Sequence, residues 1–364
     1  MAPTFHHDTD RLPGNIIPFP AGAIRRTYAR RPRPAAPGPP LRGIVLACVG
    51  TLLALGACWL GAEWIELHRV SRHIARIPGA FSAPAAARPV KPAAAARSVN
   101  VLIAGLDGEP KVGALPSRSD AIMVLHLDAD RARAWFVSVP RDTWVSLPGR
   151  GENRVNAAYP IGGPALFVRT LEELTRLHMD HLVVIDFTGF RRLTDAVGGV
   201  AMSLGVAPQS VPDSARGSVA LEMPGPVALD YVRERLTLPH GDLDRIRRQQ
   251  HFLGALLGRV RDRQLLSDPS ALRALASAIG DAVRVDTGFT TSELLALTGS
   301  VRRMRPEDVT FLTAPALGVA QKDAASVLLY DQALGDRLWS AMARDSMPTF
   351  VAAHPELVTP RDVP

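Results

Sequence analysis

The chain has 364 residues, 47% of them apolar and 21% charged, a composition that excludes a wholly disordered protein and leaves room for more than one domain. Its net charge is +7, but carboxylates are spread along the chain; the concentrated basic face that nucleic acid requires is absent, so no nucleic-acid partner is expected. The only cysteines, Cys48 and Cys58, fall in one apolar run, which excludes disulfides and zinc-thiolate chemistry from everything that follows it.

Residues 1–42 are rich in proline, glycine and arginine without hydrophobic periodicity, and read as a disordered tail. Residues 43–62 then run for twenty positions without a charge. A helix of that length, at about 1.5 Å per residue, spans the roughly 30 Å hydrocarbon layer. Seven arginines from Arg11 to Arg42 precede it, and Glu63 and Glu66 follow. The positive-inside rule therefore predicts a single-pass cell-membrane protein, with a cytoplasmic N-terminus and an extracytoplasmic remainder. A cleaved signal peptide is the alternative, but the run is long and begins far from the N-terminus. Residues 63–97 read as a juxtamembrane segment and an Ala/Pro-rich extended linker.

From residue 98 the texture is that of a folded domain, expected to run to 345. Strands are predicted at 99–106, 121–127 and 132–139, a helix at 163–177, a buried strand at 182–187 and a short helix at 187–197. Helical periodicity then dominates, at about 242–264, 269–283, 291–302 and 331–344, with one strand at 309–313. The fold class is α/β: a three-layer-like domain with a central mixed sheet flanked by helices, preceded by one transmembrane helix. Residues 346–364 read as a proline-rich C-terminal tail.

Several residues could carry chemistry. Asp107 ends one strand and Asp120 opens the next, and strand ends are where α/β folds collect ligands. Two carboxylates placed there, beside Arg118 and Ser119, could hold Mg²⁺, which takes few carboxylates and completes its shell with water and phosphate oxygens. They could equally be ordinary loop acids. Pro140 ends a strand and delivers Arg141 to the sheet edge; Arg154 is a further cation in a polar loop. The densest cluster lies in Tyr231–Gln250, with Arg233, Arg235, Arg245, Arg247, Arg248 and Gln249. Guanidinium groups at this density repel one another unless an anion sits among them, and their planar fork suits phosphate. On a helical wheel Ile246, Leu253, Leu257 and Val260 share one face. Arg245, Arg248 and Gln249 flank it, whereas Arg247 points away to solvent. Asp242 is read as the N-cap of this helix, and Asp244 as a helix-dipole acid. His178 and His181, at i and i+3 before a strand, are not read as a metal site.

Taken in order, these motifs resemble the LytR–CpsA–Psr family of membrane-anchored phosphotransferases. The residues concerned are Gly105-Leu-Asp107, Arg118-Ser-Asp120, Ser138-Val-Pro-Arg-Asp142, Arg154-Val-Asn-Ala-Ala-Tyr159, Asp186-Phe-Thr-Gly-Phe190, Tyr231-Val-Arg-Glu-Arg235 and Gly241 to Gln250. The resemblance covers 98–262 firmly and extends more loosely to about 345. It implies transfer of a glycopolymer from a polyprenyl-pyrophosphate carrier to a peptidoglycan or related cell-wall acceptor, releasing polyprenyl phosphate. It implies Asp107 and Asp120 as Mg²⁺ ligands, with Arg141 beside them in catalysis. Arg118, Arg141, Arg154, Arg233, Arg235, Arg245, Arg248 and Gln249 are expected to hold the pyrophosphate. Arg154 stands where the family usually has lysine, and Gly108-Glu109 stands where an arginine is common. A polyprenyl-pyrophosphate phosphatase using the same residues, and a non-catalytic membrane-anchored binding or regulatory protein, are the competing functions.

Overall fold

The computed structural model describes residues 74–108, 118–203, 220–235, 238–261, 268–322 and 325–360. The predicted tail and membrane span, residues 1–62, lie outside them. Among the described residues no helix is long and apolar enough to cross a membrane.

The strands are β1 (Ala75–Ile77), β2 (Val99–Leu106), β3 (Ser119–Leu127), β4 (Ala134–Ser138), β5 (Trp144–Leu147), β6 (Gly151–Arg154), β7 (His181–Asp186), β8 (Val200–Ser203), β9 (Ala220–Met223), β10 (Val283–Asp286), β11 (Val309–Thr313), β12 (Ala316–Lys322) and β13 (Ala325–Tyr330). The helices are α1 (Ala158–Thr175), α2 (Phe187–Ala196), α3 (Gly225–Arg233), α4 (Asp242–Val260), α5 (Pro269–Ala282), α6 (Thr291–Arg303), α7 (Gln332–Ala343) and α8 (Met347–Ala353). Seven strands form one mixed sheet in the order β1-β10-β7-β2-β3-β4-β11. β2 runs parallel to β7 and antiparallel to β3, and β11 lies parallel to β4. The pairs β5–β6, β8–β9 and β12–β13 are separate hairpins.

Strands covered on both faces read as apolar runs rather than alternations, and β2 (VNVLIAGL) and β4 (AWFVS) are of this kind. Leu102, Ala104, Leu106, Ile122 and Val124 face one core, closed by Phe167, Val168 and Leu171 of α1 and by Leu338, Trp339 and Met342 of α7. Ile103, Leu125, Phe136 and Phe311 face the other side, against Leu253 and Leu257 of α4 and Leu297 of α6. The domain is therefore helix–sheet–helix in section. A further cluster joins α2, α3, α4, α5 and the β8–β9 hairpin around Phe252, Leu229 and Tyr231.

Three stretches differ from the sequence reading. Residues 74–97 are no free linker: β1 pairs with β10 at the sheet edge, and Ile77, Ala80 and Ala95 are buried. Arg88 pairs with Glu172 at 2.7 Å, and Lys91 with Asp180 at 2.7 Å. Proline and alanine here give short 3₁₀ turns that lie on the domain. Nor are residues 346–360 a tail, because Met347 and Phe350 enter the core and Val358 bridges Leu312. The first long helix begins at Ala158 rather than Gly163, with Gly162 and Gly163 (φ 64°, ψ −161°) forming a kink that only glycine accommodates.

Candidate active site

Strand register brings together charges that are far apart in sequence. Leu106 of β2 pairs with Ser119 of β3, and the Asp107 N–H donates to the Arg118 carbonyl at 3.1 Å. Asp107 and Asp120 thus flank one strand junction. Asp107 accepts from the Arg118 N–H at 2.8 Å. Asp120 instead accepts from Arg141, which Pro140 turns out of β4. Among the described residues no group of three or more His, Cys, Asp or Glu could hold a metal. A pair of carboxylates at a strand end still suits Mg²⁺, which keeps most of its shell for water and phosphate. Asp107 and Asp120 are donors of the type that ion takes.

Around Arg141 lies a network of arginine and aspartate. Its Nε is 3.6 Å from Asp142 and 3.5 Å from Asp242, and Asp242 is 2.6 Å from Arg245. Arg245 also reaches the Asp120 carbonyl at 3.5 Å. Burial opposes the Arg141 charge, but Asp120, Asp242 and Asp142 outweigh it and raise its pKa above the ordinary guanidinium value. Burial lowers Arg245, with Asp242 opposing. Burial also pushes the Asp242 carboxyl up, against the pull of Arg245 and Arg141. The Nε atoms of Arg141 and Arg245 and both carboxylate oxygens of Asp242 are buried without a well-formed hydrogen bond. The two guanidinium Nε–H groups are paired by charge with Asp242 but still have hydrogen-bonding capacity to offer an anion.

The charges stand at one end of an apolar cavity of about 330 Å³ between the sheet and helices α2, α3 and α4. Ile103, Met123 and Ile185 form its floor; Phe190, Leu193, Leu229, Phe252, Leu253 and Leu256 form its walls. Arg141, Arg233, Arg235, Arg245, Gln249, Asp120 and Asp186 also line it. Arg233 ends α3, and Glu234 turns the chain out of the helix (ψ 133°), so Arg233 and Arg235 both reach the cavity. Arg233 lies 4.5 Å above the Phe187 ring, and Gln249 donates to the Val232 carbonyl at 3.3 Å.

Of the sequence candidates, Asp120, Arg141, Arg233, Arg235, Arg245 and Gln249 meet at this cavity. Asp107 and Arg118 adjoin it through β3 but do not line it. Arg154 is held by Asp142 at 3.2 Å, one residue removed from the cavity. Arg248 departs from the wheel reading: it is 1% exposed, lies 4.8 Å above the Tyr231 ring and packs inside the helical layer. Asp242 is not the N-cap. Gly241 holds that place at φ 52°, Asp242 turns to the arginines, and Asp244 reaches back to the His240 N–H at 2.9 Å. Arg247, part-exposed, pairs with buried Asp244, 3.0 Å away. His178 and His181 part: one bonds Pro89, and the other stacks on Phe289 at 3.9 Å. Asp142 and Asp242 join this arginine network although neither is read from the sequence as a site residue: an acid at a helix start has the same local signature whether it caps or pairs, and Asp142 lies in a turn where an acid is commonplace.

The sequence profile of the LytR_cpsA_psr family matches residues 79–344. The chain is 34% identical over 241 residues to a probable cell wall biosynthesis protein, LcpB, of Corynebacterium glutamicum, covering 65% of this chain and 55% of that one. It is 33% identical over 189 residues to a polyisoprenyl-teichoic acid–peptidoglycan teichoic acid transferase, TagU, of Halalkalibacterium halodurans, covering 51% and 60%. A regulatory protein, MsrR, of Staphylococcus aureus is 33% identical over 164 residues, covering 43% of this chain and 48% of that one. The chain thus spans about half the length of the curated relatives it matches. Solved structures share the fold: TagV of B. subtilis superposes with a TM-score of 0.57 at 24% identity, covering 68% of this chain and 98% of that one. TagT bound to LIIa-WTA does so with 0.56 at 23%, covering 71% and 96%. The chain belongs to the LytR–CpsA–Psr family.

Proposed function

We propose that this protein is a Mg²⁺-dependent phosphotransferase that moves a glycopolymer from a polyprenyl-pyrophosphate carrier to a cell-wall acceptor hydroxyl. One observation carries the reading: an apolar cavity is lined by four arginines, two of which, Arg141 and Arg245, have a buried Nε donor without a well-formed hydrogen bond. That shape is complementary to an amphiphile with a long hydrocarbon tail and a doubly anionic head. The names of the transferase relatives support the same class of reaction. The span expected over residues 43–62 would tether the domain outside the membrane.

The tail lies along Ile103, Met123, Phe190, Phe252 and Leu256, where its burial stabilises the complex by about 25 cal/mol per Å². Arg141, Arg245, Arg233 and Arg235 grip the two phosphates and neutralise the charge that grows on the leaving group. Asp120, Asp142 and Asp242 hold Arg141 and Arg245 in place beforehand, so little reorganisation is needed there. Asp107 and Asp120 would hold Mg²⁺, which supplies further charge neutralisation at the phosphate oxygens. The acceptor oxygen forms a bond to the sugar-side phosphorus as the bridging P–O bond breaks. The electron pair leaves with polyprenyl phosphate, and the hydroxyl proton passes to Asp107 or Asp120.

Full-length protein in detergent, given Mg²⁺, a lipid-pyrophosphate glycan and a peptidoglycan acceptor, is expected to attach glycan to the acceptor. Arg141→Ala and Arg233→Ala should each lower that rate by about 100-fold, as loss of a single preorganised donor does elsewhere. Unchanged lipid-pyrophosphate binding in both variants would overturn the site assignment.

A further inference from the structure

The β5–β6 hairpin carries a surface that the reaction above leaves without a role. Trp144 pairs with Arg154, and Ser146 with Glu152, so these four side chains share one face of the hairpin. Val145 and Leu147 point the other way into the core. Trp144 is half-buried, and its indole N–H donates to Glu152 Oε2 at 3.0 Å. That bond fixes the ring plane and satisfies the ring's single donor, leaving the apolar face as what it offers a partner. Among the described residues no other aromatic ring packs on it. The hairpin is anchored at its open end: Val155 N–H donates to the Thr143 carbonyl at 2.8 Å, and Asn156 N–H to the Arg141 carbonyl at 3.2 Å.

This face is continuous with the phosphate end of the cavity. Arg154 contacts Asp142 at 3.2 Å, and Asp142 contacts Arg141 at 3.6 Å. Trp144, Asp142 and Arg154 do not line the apolar cavity. A diphosphate whose tail runs into the cavity must carry its other substituent away from it, and this chain of contacts leads away from Arg141. A fixed aromatic face ringed by Glu152, Ser146 and Arg154 suits one chemical class: a sugar ring. Its axial C–H face covers the indole, and its hydroxyls donate to a carboxylate and accept from a guanidinium.

We infer that Trp144, with Glu152 and Arg154, forms the subsite for the first sugar of the glycan esterified to the diphosphate. This rests on the functional reading above. The test uses full-length protein and two probes: a prenyl diphosphate, and the same lipid bearing one N-acetylhexosamine on its terminal phosphate. Trp144→Ala should weaken the sugar-bearing probe by about five- to tenfold, the range of one aromatic contact. Trp144→Phe should recover most of that loss, and the sugar-free probe should bind both variants as it binds wild type. Equal weakening of both probes, or of neither, overturns the inference. So does a rise confined to the acceptor KM, which would assign the platform to the acceptor instead. Failure of wild-type protein to bind the sugar-free diphosphate would sink the functional reading itself, and this inference with it.

Discussion

At the scale of single residues, the arginines of this chain are distinguished by their surroundings. Arg247 and Arg248 are adjacent in sequence, yet one is part-exposed and paired with Asp244, and the other is buried over Tyr231. Arg245 is 4% exposed and shares Asp242 with Arg141. The account therefore predicts unequal effects. Arg247→Ala should change lipid-diphosphate binding little, since Arg247 is turned to Asp244 and does not line the cavity. Arg245→Ala leaves Asp242 buried beside one cation rather than two, and should weaken lipid-diphosphate binding by about tenfold or more in direct titration. The wheel placed Arg245 and Gln249 at one flank of α4 and Arg247 opposite, and the cavity lining agrees for these three. It could not separate Arg248 from Arg245, because burial against Tyr231 depends on where α3 lies.

At the scale of elements, α2 sits where it does because two glycines let backbones touch. A Cβ on Gly189 would fall 2.5 Å from the Ala282 carbonyl oxygen, and one on Gly225 would fall 2.5 Å from the Arg191 carbonyl oxygen. Neither neighbour is a flexible side chain. Gly189→Ala and Gly225→Ala should each lower unfolding free energy by about 1–3 kcal/mol in denaturant titrations. They should also loosen the wall formed by Phe190 and Leu229. A second tie joins β3 to the end of α7: buried His126 lies 3.2 Å from Asp345, whose other oxygen accepts from the Ala129 N–H at 3.0 Å. The hydrogen bond with His126 holds the Asp345 carboxyl below its ordinary 3.8, although burial opposes this. Its contribution is then complete above that value and disappears as pH falls through the lower folded value. The stability difference between wild type and Asp345→Asn should be flat above about pH 5 and shrink below about pH 4. Long elements were legible because their periodicity repeats: α4, α5 and α7 lie where the pattern puts them. α3, β1 and β10 were not, since three to nine residues carry too few turns or alternations to stand out from loop.

For the molecule as a whole, the segments that sequence assigned to linker and tail complete the fold. Proline and alanine composition describes how a free chain behaves, and it does not register that Phe350 has a core to enter or that Thr359 hydrogen-bonds buried Gln250. Truncation after residue 345 removes Met347 and Phe350 and should cost about 3–5 kcal/mol, seen as a lower denaturation midpoint; an unchanged midpoint would restore the tail reading. Half of the candidate site was equally hidden. Motif order named Asp120, Arg141 and Arg233, but only the sheet register and the crossing of α4 bring Asp242 and the apolar walls to them. The central claim is transfer from a lipid diphosphate to a sugar hydroxyl, and isotope tracing tests it most directly. With full-length protein, lipid-pyrophosphate glycan, Mg²⁺ and acceptor in ¹⁸O-water, the account predicts acceptor-linked glycan phosphate without ¹⁸O, matched one for one by unlabelled polyprenyl phosphate. Free glycan phosphate carrying ¹⁸O, formed at the same rate with or without acceptor, would contradict it.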